Sequence, residues 1–191
     1  YGDPVAGLGA AAAVLTALIQ RRKTGKGQYI DLSQREVMTA QIGEAFLDWN
    51  MNQRLQPHWG NGHDWMAPHN AYRCQGQDEW VAIAVRTDQE WDGLVRAMGS
   101  PDWAGEDAYS DQIYRWDNRD VLDQHMSAWT AGLSKEVVFD ACRAERVACG
   151  PVLNMADLFD DEQLAARGFY EEVSHPQHKT WLVHGWAWRA T

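Results

Sequence analysis

An apolar segment near the N-terminus, residues 5–19, constrains the fold most, because alanine and glycine dominate it rather than large side chains. Asp3 and Pro4 come directly before it: an acidic residue that can cap a helix, then a proline suited to the first helical position. The pattern predicts a helix that runs to about Arg22, and glycine in residues 24–27 supplies its end. A helix with such small side chains suits close backbone approach to a neighbouring element.

The same segment indicates neither a membrane anchor nor a signal peptide. Its apolar run of about fifteen residues is shorter than the roughly 20 that cross a bilayer. A signal peptide places basic residues before its apolar run, whereas Arg21, Arg22 and Lys23 follow this one. At the end of a helix these cations are favoured by the helix dipole without any partner.

The charge balance and the cysteine count narrow the function classes. The chain has 27 acidic and 17 basic residues, a net charge of -10, which argues against a nucleic-acid partner. Its three cysteines fit neither a disulfide framework nor a paired zinc motif, so a reducing cytoplasm is expected. With 191 residues, 45% of them hydrophobic, the chain can bury one sizeable core or two small ones.

Strand-like and helix-like hydrophobic patterns alternate along the rest of the chain. Residues 28–33 alternate polar and apolar side chains, which predicts a short strand, and residues 34–55 follow a helical period. A loop with glycine, asparagine and proline, residues 57–68, comes next. Beyond it we expect strands at 71–74, 80–85 and 147–152, helices at 88–98, 119–131, 135–145 and from 154 or 157 to 167, and further strands in 169–188. The fold class is therefore α/β or α+β, with a boundary in the loop.

Three segments carry a family resemblance. Residues 2–33 read Gly-Asp-Pro-Val-Ala-Gly-Leu, an alanine-rich stretch, then Arg-Arg-Lys-Thr-Gly-Lys-Gly-Gln-Tyr-Ile-Asp-Leu-Ser. Residues 66–74, running into 80–90, and residues 149–154, running into 161–169, agree in order and spacing. Together they resemble class III CoA-transferases, the CaiB/BaiF family, over essentially the whole chain.

The resemblance implies an α/β fold made of part of a Rossmann-like large domain plus a small α/β domain. It assigns residues 1–65 to the large domain and a linker helix, 66–150 to the small domain, and 151–191 to a return toward the large domain. Members of the family are about twice as long and form two interlocked chains. We therefore expect a partial chain that lacks the N-terminal half, and either a homodimer or association with that half.

The resemblance also assigns the catalytic role to Asp3. In the family this aspartate attacks the thioester carbonyl of an acyl-CoA and carries an aspartyl-linked intermediate to a carboxylic acid acceptor. A carboxylate at a helix start is stabilised as the anion that a nucleophile must be. Without the resemblance, an ordinary N-cap is the alternative for Asp3. Asp31, Glu44, Asp48 and Asp88 are expected to be solvated or capping carboxylates.

The loop contains the second group of candidate site residues. Gly60, Asn61, Gly62 and His63 correspond to a loop that closes over the aspartyl-CoA intermediate in some members of the family, and glycines allow such movement. His58, His63 and His69 lie near one another in sequence, but their spacing matches no established zinc pattern. We expect no metal and no permanently bound cofactor; the coenzyme A thioester is a substrate.

Two other functions stay open beside CoA transfer. One is an acyl-CoA racemase of the α-methylacyl type, in which the same aspartate acts as a base. Racemases of the family usually follow that aspartate with a run of glycines, whereas Pro-Val-Ala-Gly follows Asp3, and Thr87 lies where they tend to have an acidic residue. The other is an inactive fragment that acts only through association.

Overall fold

The computed structural model describes residues 1–188 and divides into two compact units. The first is Tyr1–His58, and the second begins at Trp59. The predicted third segment, 151–191, ends in residues 189–191, which lie outside the described part of the chain. Both helices and strands are present, in agreement with the predicted mixed fold class.

The first unit is helical and begins with the predicted long helix. Helix α1 is Gly2–Thr24, and Gly25 ends it in the left-handed conformation (φ 72°). Tyr1 is its N-cap residue and makes no side-chain cap, so Asp3 lies inside the first turn, and the N-cap interpretation was wrong. Pro4 lies one position further on, still among the first helical residues whose N–H groups lack an intrahelical partner.

Two further helices follow, and here the prediction is corrected. Residues 28–33 form no strand, because no neighbouring strand pairs with them. Helix α2 is Gln34–Ala40, and the side chain of Ser33 caps it by accepting a hydrogen bond from the N–H of Glu36. The single helix predicted over 34–55 is split: α3 is Gly43–Asn52. A turn before Gly43 interrupts it, and Gln53, with a positive φ of 54°, ends it.

Helix α1 packs closely against α2 and is longer than the apolar run suggested. A Cβ atom at Gly9 would lie 3.2 Å from Val37 Cγ1, so glycine is what permits this approach. The helix has 23 residues and an 18-residue window with a mean hydropathy of 1.6, of which 6% is buried. The helix is therefore long and apolar enough to cross a membrane, whereas the apolar run in the sequence was judged too short to do so. The core helix of a soluble protein meets the same criterion of length and hydropathy.

A three-stranded antiparallel sheet organises the second unit. Its strands β1, β2 and β3 are His69–Arg73, Trp80–Ala84 and Ala148–Pro151, with β2 in the centre. All three correspond to predicted strands. The helices between β2 and β3 are α4 (Asp88–Ala97), α5 (Gln112–Asp117), α6 (Arg119–Thr130) and α7 (Lys135–Ala144), and short 3₁₀ turns at Asp102–Gly105 and Asp107–Tyr109 precede α5.

The two faces of this sheet differ sharply in side-chain size. Tyr72, Val81 and Ile83 point to the inner face and are almost completely buried with residues of α4, α6 and α7. At the centre of the outer face the side chains are small, because Ala71, Ala82 and Gly150 lie side by side across the three strands, whereas Arg73 lies over the Trp80 ring at one end. Helices therefore cover one face, and the middle of the other face is a shallow surface of backbone and methyl groups.

Two buried cations connect the helices of this unit. Arg115 of α5 is fully buried, where its guanidinium lies 2.6 Å from an Asp88 carboxylate oxygen and over the Trp91 ring. Lys135, at the start of α7, pairs with Glu79 at 2.7 Å and with Asp157 at 2.6 Å. A buried cation costs free energy unless it is paired in this way.

The last part of the second unit consists of two short helices and a hairpin. The helix predicted to reach residue 167 is split into α8, Met155–Phe159, and α9, Glu162–Ala166, because Asp161 caps a new helix start. Strands β4 and β5, Tyr170–Ser174 and Thr180–His184, lie in the segment where further strands were predicted, and they pair as an antiparallel hairpin. The Tyr170 hydroxyl donates to the Leu158 carbonyl and so ties the hairpin to α8.

The packing of α4 generates a first prediction. A Cβ atom at Gly93 would lie 2.7 Å from the Glu145 carbonyl oxygen, a contact that backbone must move to relieve. Gly93→Ala is expected to lower the free energy of unfolding by about 1–3 kcal/mol despite the better helix propensity of alanine. Gly132→Ala, where a Cβ meets nothing within 4 Å, is the matched control and should change it by less than about 0.5 kcal/mol. Equal urea midpoints for the two variants would contradict this packing.

The ion pair between Lys135 and Asp157 generates a second prediction, on how the stability of the fold depends on pH. The hydrogen bond from Lys135, followed by that from the Asn154 backbone, lowers the pKa of the Asp157 carboxyl below its ordinary value of 3.8. A carboxylate with a lowered pKa stabilises the folded state at neutral pH, and this stabilisation is lost as the pH falls through the folded-state pKa. The destabilisation caused by Asp157→Asn should therefore shrink between about pH 6 and about pH 3.

A second variant isolates the cause of this dependence. In a Lys135→Met background the largest cause of the lowered pKa of Asp157 is absent, while the hydrogen bonds from Asn154 remain, so the effect of Asp157→Asn should vary less over the same pH range. Urea unfolding at each pH gives the free energy of unfolding of the wild type, the two single variants and the double variant. An Asp157→Asn effect that is independent of pH in the wild-type background would show that the ion pair does not stabilise the fold.

Candidate functional site

Asp3 lies at the exposed start of helix α1, beside the start of helix α2. Its Oδ1 atom accepts a hydrogen bond from Nε2 of Gln34, 31 residues further along the chain. A Cβ atom at Gly2 would lie 3.2 Å from the same Gln34 nitrogen, so glycine leaves room for the amide. The backbone N–H groups of the first turn and the helix dipole favour a negative charge at this place.

This arrangement orients the Asp3 carboxylate through one of its two oxygens. Gln34 holds one carboxylate oxygen in position, and within the first unit no hydrogen bond reaches Oδ2. An amide donor is neutral, so it orients the carboxylate without forming an ion pair that would reduce its nucleophilicity. The position of Asp3 is thus compatible with covalent chemistry at Oδ2.

The loop residues Gly60, Asn61, Gly62 and His63 lie at the beginning of the second unit. Gly60 has a positive φ of 62°, and the Gly62 N–H donates to the Trp59 carbonyl at 2.9 Å, which closes a tight turn. Nε1 of Trp116 in α5 donates to the His63 carbonyl at 3.0 Å. The loop is therefore held to the helical layer at its end, while its glycines form the bend.

A cavity of about 500 Å³ lies between this loop and the outer face of the sheet. Gly60, Asn61 and Gly62 line one side of it. The remaining lining is mostly small and apolar and comes from all three strands: His69, Asn70, Ala71, Ala82, Ile83, Ala84, Ala148 and Cys149. His63 lies outside it and lines a smaller, more polar cavity of about 150 Å³ instead. Three of the four loop residues singled out in the sequence thus face the larger cavity.

The histidines of this region make specific contacts. His69 Nδ1 lies 2.7 Å from the Asn61 carbonyl oxygen, and the His63 and His69 rings are 5.2 Å apart. His63 Nδ1 lies 2.9 Å from a carboxylate oxygen of Asp64. Within residues 1–188, no group of three or more histidine, cysteine, aspartate or glutamate side chains is arranged to hold a metal ion.

The other carboxylates considered in the sequence have varied surroundings. The hydrogen bond from Asn52, followed by that from Arg54, lowers the pKa of Asp48. Asp88 is more than a solvated or capping carboxylate, because it pairs with the buried Arg115.

Sequence reasoning missed three residues that position the candidate groups: Gln34, His69 as a partner of Asn61, and Trp116. Gln34 follows the helix-capping Ser33, and this start signal could have located it at the head of a helix. Its contact with Asp3 depends on how α1 and α2 pack. His69 and Trp116 reach the loop only because the sheet and α5 bring them there.

The comparison with protein families decides the classification. The sequence model described as CoA-transferase family III matches residues 1–191, the entire chain. This chain belongs to CoA-transferase family III. The resemblance read from residues 2–33, 66–90 and 149–169 is thereby confirmed.

Several curated relatives of this family III chain are named CoA-transferases. It is 33% identical over 167 residues to the alpha subunit of succinyl-CoA–L-malate CoA-transferase of Chloroflexus aurantiacus, covering 87% of this chain and 39% of that protein. It is 31% identical to the succinyl-CoA:mesaconate CoA-transferase of Haloarcula marismortui, covering 87% of this chain and 41% of that protein. The chain thus spans about two fifths of the length of these relatives.

Solved structures show the same fold. A CaiB/BaiF family protein from Brucella suis superposes with a TM-score of 0.79 at 23% identity, covering 94% of this chain and 50% of that one. Rv3272 from Mycobacterium tuberculosis superposes with a TM-score of 0.75 at 19% identity, covering 98% and 48%. The family III chain therefore has the CaiB/BaiF fold over the portion that it covers.

Proposed function

We propose that the protein transfers coenzyme A between an acyl-CoA and a carboxylic acid through a covalent intermediate on Asp3. The observation that carries the proposal is the family III match over the whole chain, which includes an aspartate exposed at a helix start. The hydrogen bond from Gln34 supports it, because it orients the carboxylate, and Gly2 leaves the space that the Gln34 amide needs to make this bond.

The first half of the proposed reaction loads CoA onto the protein. Asp3 Oδ2 attacks the thioester carbonyl carbon of the donor acyl-CoA, the C–S bond breaks, and CoA leaves as a thiolate. The thiolate attacks the side-chain carbonyl carbon of Asp3 in the resulting mixed anhydride. The donor acid leaves as a carboxylate, and Asp3 becomes an aspartyl-CoA thioester.

The second half repeats these steps with the acceptor. The acceptor carboxylate attacks the aspartyl thioester, forms a mixed anhydride with Asp3 and releases the CoA thiolate. The thiolate then attacks the acceptor's carbonyl carbon in this anhydride, which forms the new acyl-CoA and regenerates the Asp3 carboxylate. The exchange consumes no water and no redox equivalent, and covalent catalysis divides it into easier steps. The Gln34 amide can donate to the oxyanion that forms when the Asp3 carbonyl is attacked.

The loop residues are proposed to bind the CoA thioester, Gly60, Asn61 and Gly62 at the larger cavity and His63 at the smaller one. Glycines expose backbone and permit the close approach of a ligand. The cavity lined by Gly60, Asn61 and Gly62 has a volume of about 500 Å³, within the range of ligand sites, and a mostly apolar lining. No permanently bound cofactor is needed, because CoA enters and leaves as part of each substrate.

A first test replaces the nucleophile in the full-length protein. Asp3→Asn keeps the oxygen that accepts from Gln34, so the fold should persist, whereas transfer should fall on the order of 10⁴-fold or more. Asp31→Asn, in the same unit, is the matched control and should retain turnover. Incubation with acyl-CoA followed by hydroxylamine and mass analysis should locate the adduct on Asp3.

The outcomes of this test separate the candidate functions. An adduct on another carboxylate, or turnover retained by Asp3→Asn, would remove the central claim. Incorporation of solvent deuterium at the α-carbon of the acyl-CoA, without transfer to an acid, would assign the protein to racemisation. Loss of both reactions in the wild-type protein would favour a role through association alone.

We also propose that the protein functions as a homodimer in the cytoplasm. All three cysteines are free thiols, which suits a reducing compartment. The first unit exposes large apolar side chains over more than half of their surface: Leu8, Leu15, Phe46, Leu47 and Met51. An exposed apolar surface of this extent favours association, and a second chain can bury it in an interface.

Sedimentation at micromolar concentration measures this association directly. We expect a species at twice the monomer mass that persists on dilution, since an obligate interface buries on the order of 2,000 Å² or more. Phe46→Asp should shift the distribution toward monomer, because it places a charge on the apolar surface. A single sharp boundary at the monomer mass would contradict the proposal.

A further inference from the structure

The hydrogen bond between His69 and Asn61 connects the sheet to the Gly60–Gly62 turn. His69 is the first residue of β1 and pairs in register with Ala84, which in turn pairs with Ala148. These neighbours on the outer face are alanines, so the imidazole has space to reach across to the turn. There Nδ1 lies 2.7 Å from the Asn61 carbonyl oxygen.

The chemistry of the two atoms determines which of them donates. A backbone carbonyl oxygen can only accept, so Nδ1 of His69 must carry the proton. The neutral ring is therefore the Nδ1–H tautomer, and the protonated ring donates from the same atom. The bond persists whichever charge state the ring has, which suits a fixed attachment better than a pH switch.

The other bonds of the turn do not replace this one. The Gly62 N–H bond to the Trp59 carbonyl closes the turn internally, and the Trp116 bond to the His63 carbonyl attaches it to α5. His69 attaches the middle of the turn to the sheet that forms the other wall of the cavity. Loss of its donor would leave Asn61 free to move away from that wall.

We propose that His69 is a positioning residue that holds the Gly60–Gly62 turn against the cavity through the Asn61 carbonyl and so shields a bound CoA thioester from water. The shielding step rests on the proposed function, whereas the attachment itself does not. A reactive acyl intermediate is normally protected from hydrolysis by exclusion of water from its site. A loosened turn should therefore divert thioester from transfer to hydrolysis.

The first measurement tests the attachment without any activity. Nitrogen-15 NMR of the histidine rings in the full-length protein should show His69 as the Nδ1–H tautomer. His175, an exposed histidine whose Nδ1 accepts a hydrogen bond from the Gln177 N–H at 3.2 Å, serves as the internal reference and should show the Nε2–H tautomer. An Nε2–H tautomer at His69 would overturn the proposal.

The second measurement uses a matched pair of variants. Asparagine places an amide N–H close to the position of Nδ1, so His69→Asn keeps the donor, whereas His69→Leu removes it. The ratio of acyl-CoA hydrolysis to transfer should rise about tenfold in His69→Leu, as the loss of one hydrogen bond would produce, and return toward wild type in His69→Asn. Protease cleavage within the turn should follow the same order.

Failure of CoA transfer and failure of the His69 attachment give different results in these experiments. If wild-type protein transfers no CoA, the proposed function is wrong, and the tautomer and the cleavage rates still decide whether His69 holds the turn. If transfer occurs but both variants hydrolyse equally, His69 has no positioning role. The same pair at His175 is the control and should leave the ratio and the cleavage rate unchanged.

Discussion

The second unit depends on the alternation of large and small side chains along its central strand, β2. Val81 and Ile83 point inward and are buried, while Ala82, between them, points outward with Ala84. A shift of one residue in the pairing would exchange the two faces and place methyl groups in the core. One register therefore produces both the hydrophobic core under the helices and the open, small-residue wall of the cavity.

Polar contacts within each unit then position the candidate groups. Buried Lys135 and Arg115 join elements far apart in sequence, and each is paired, as a buried cation must be. The contacts nearest to the proposed chemistry are hydrogen bonds rather than ion pairs: Gln34 donates to Asp3, and His69 donates to the Asn61 carbonyl. These donors orient a carboxylate and a backbone turn.

Membership of CoA-transferase family III gives these contacts their chemical meaning. The curated relatives include enzymes named for succinyl-CoA as a substrate, and this chain spans about two fifths of their length. The proposed division of labour assigns covalent chemistry to Asp3 in the first unit and binding of the thioester to the turn and cavity of the second. Each role can be tested at a separate residue, because each depends on its own hydrogen bond.

The sequence by itself determined the features that local interactions decide. Gly25 ends α1, Thr87 and Glu90 cap α4, and Asn154 caps α8, because each signal acts within a few residues of its helix end. The family signature likewise singled out Asp3 as the candidate nucleophile. Only the tertiary structure decided that residues 28–33 form no strand, since alternation makes a strand only where a neighbour offers hydrogen bonds. It also brought Gln34 to Asp3 and His69 to Asn61, because contacts between separate elements depend on packing, which no short pattern records.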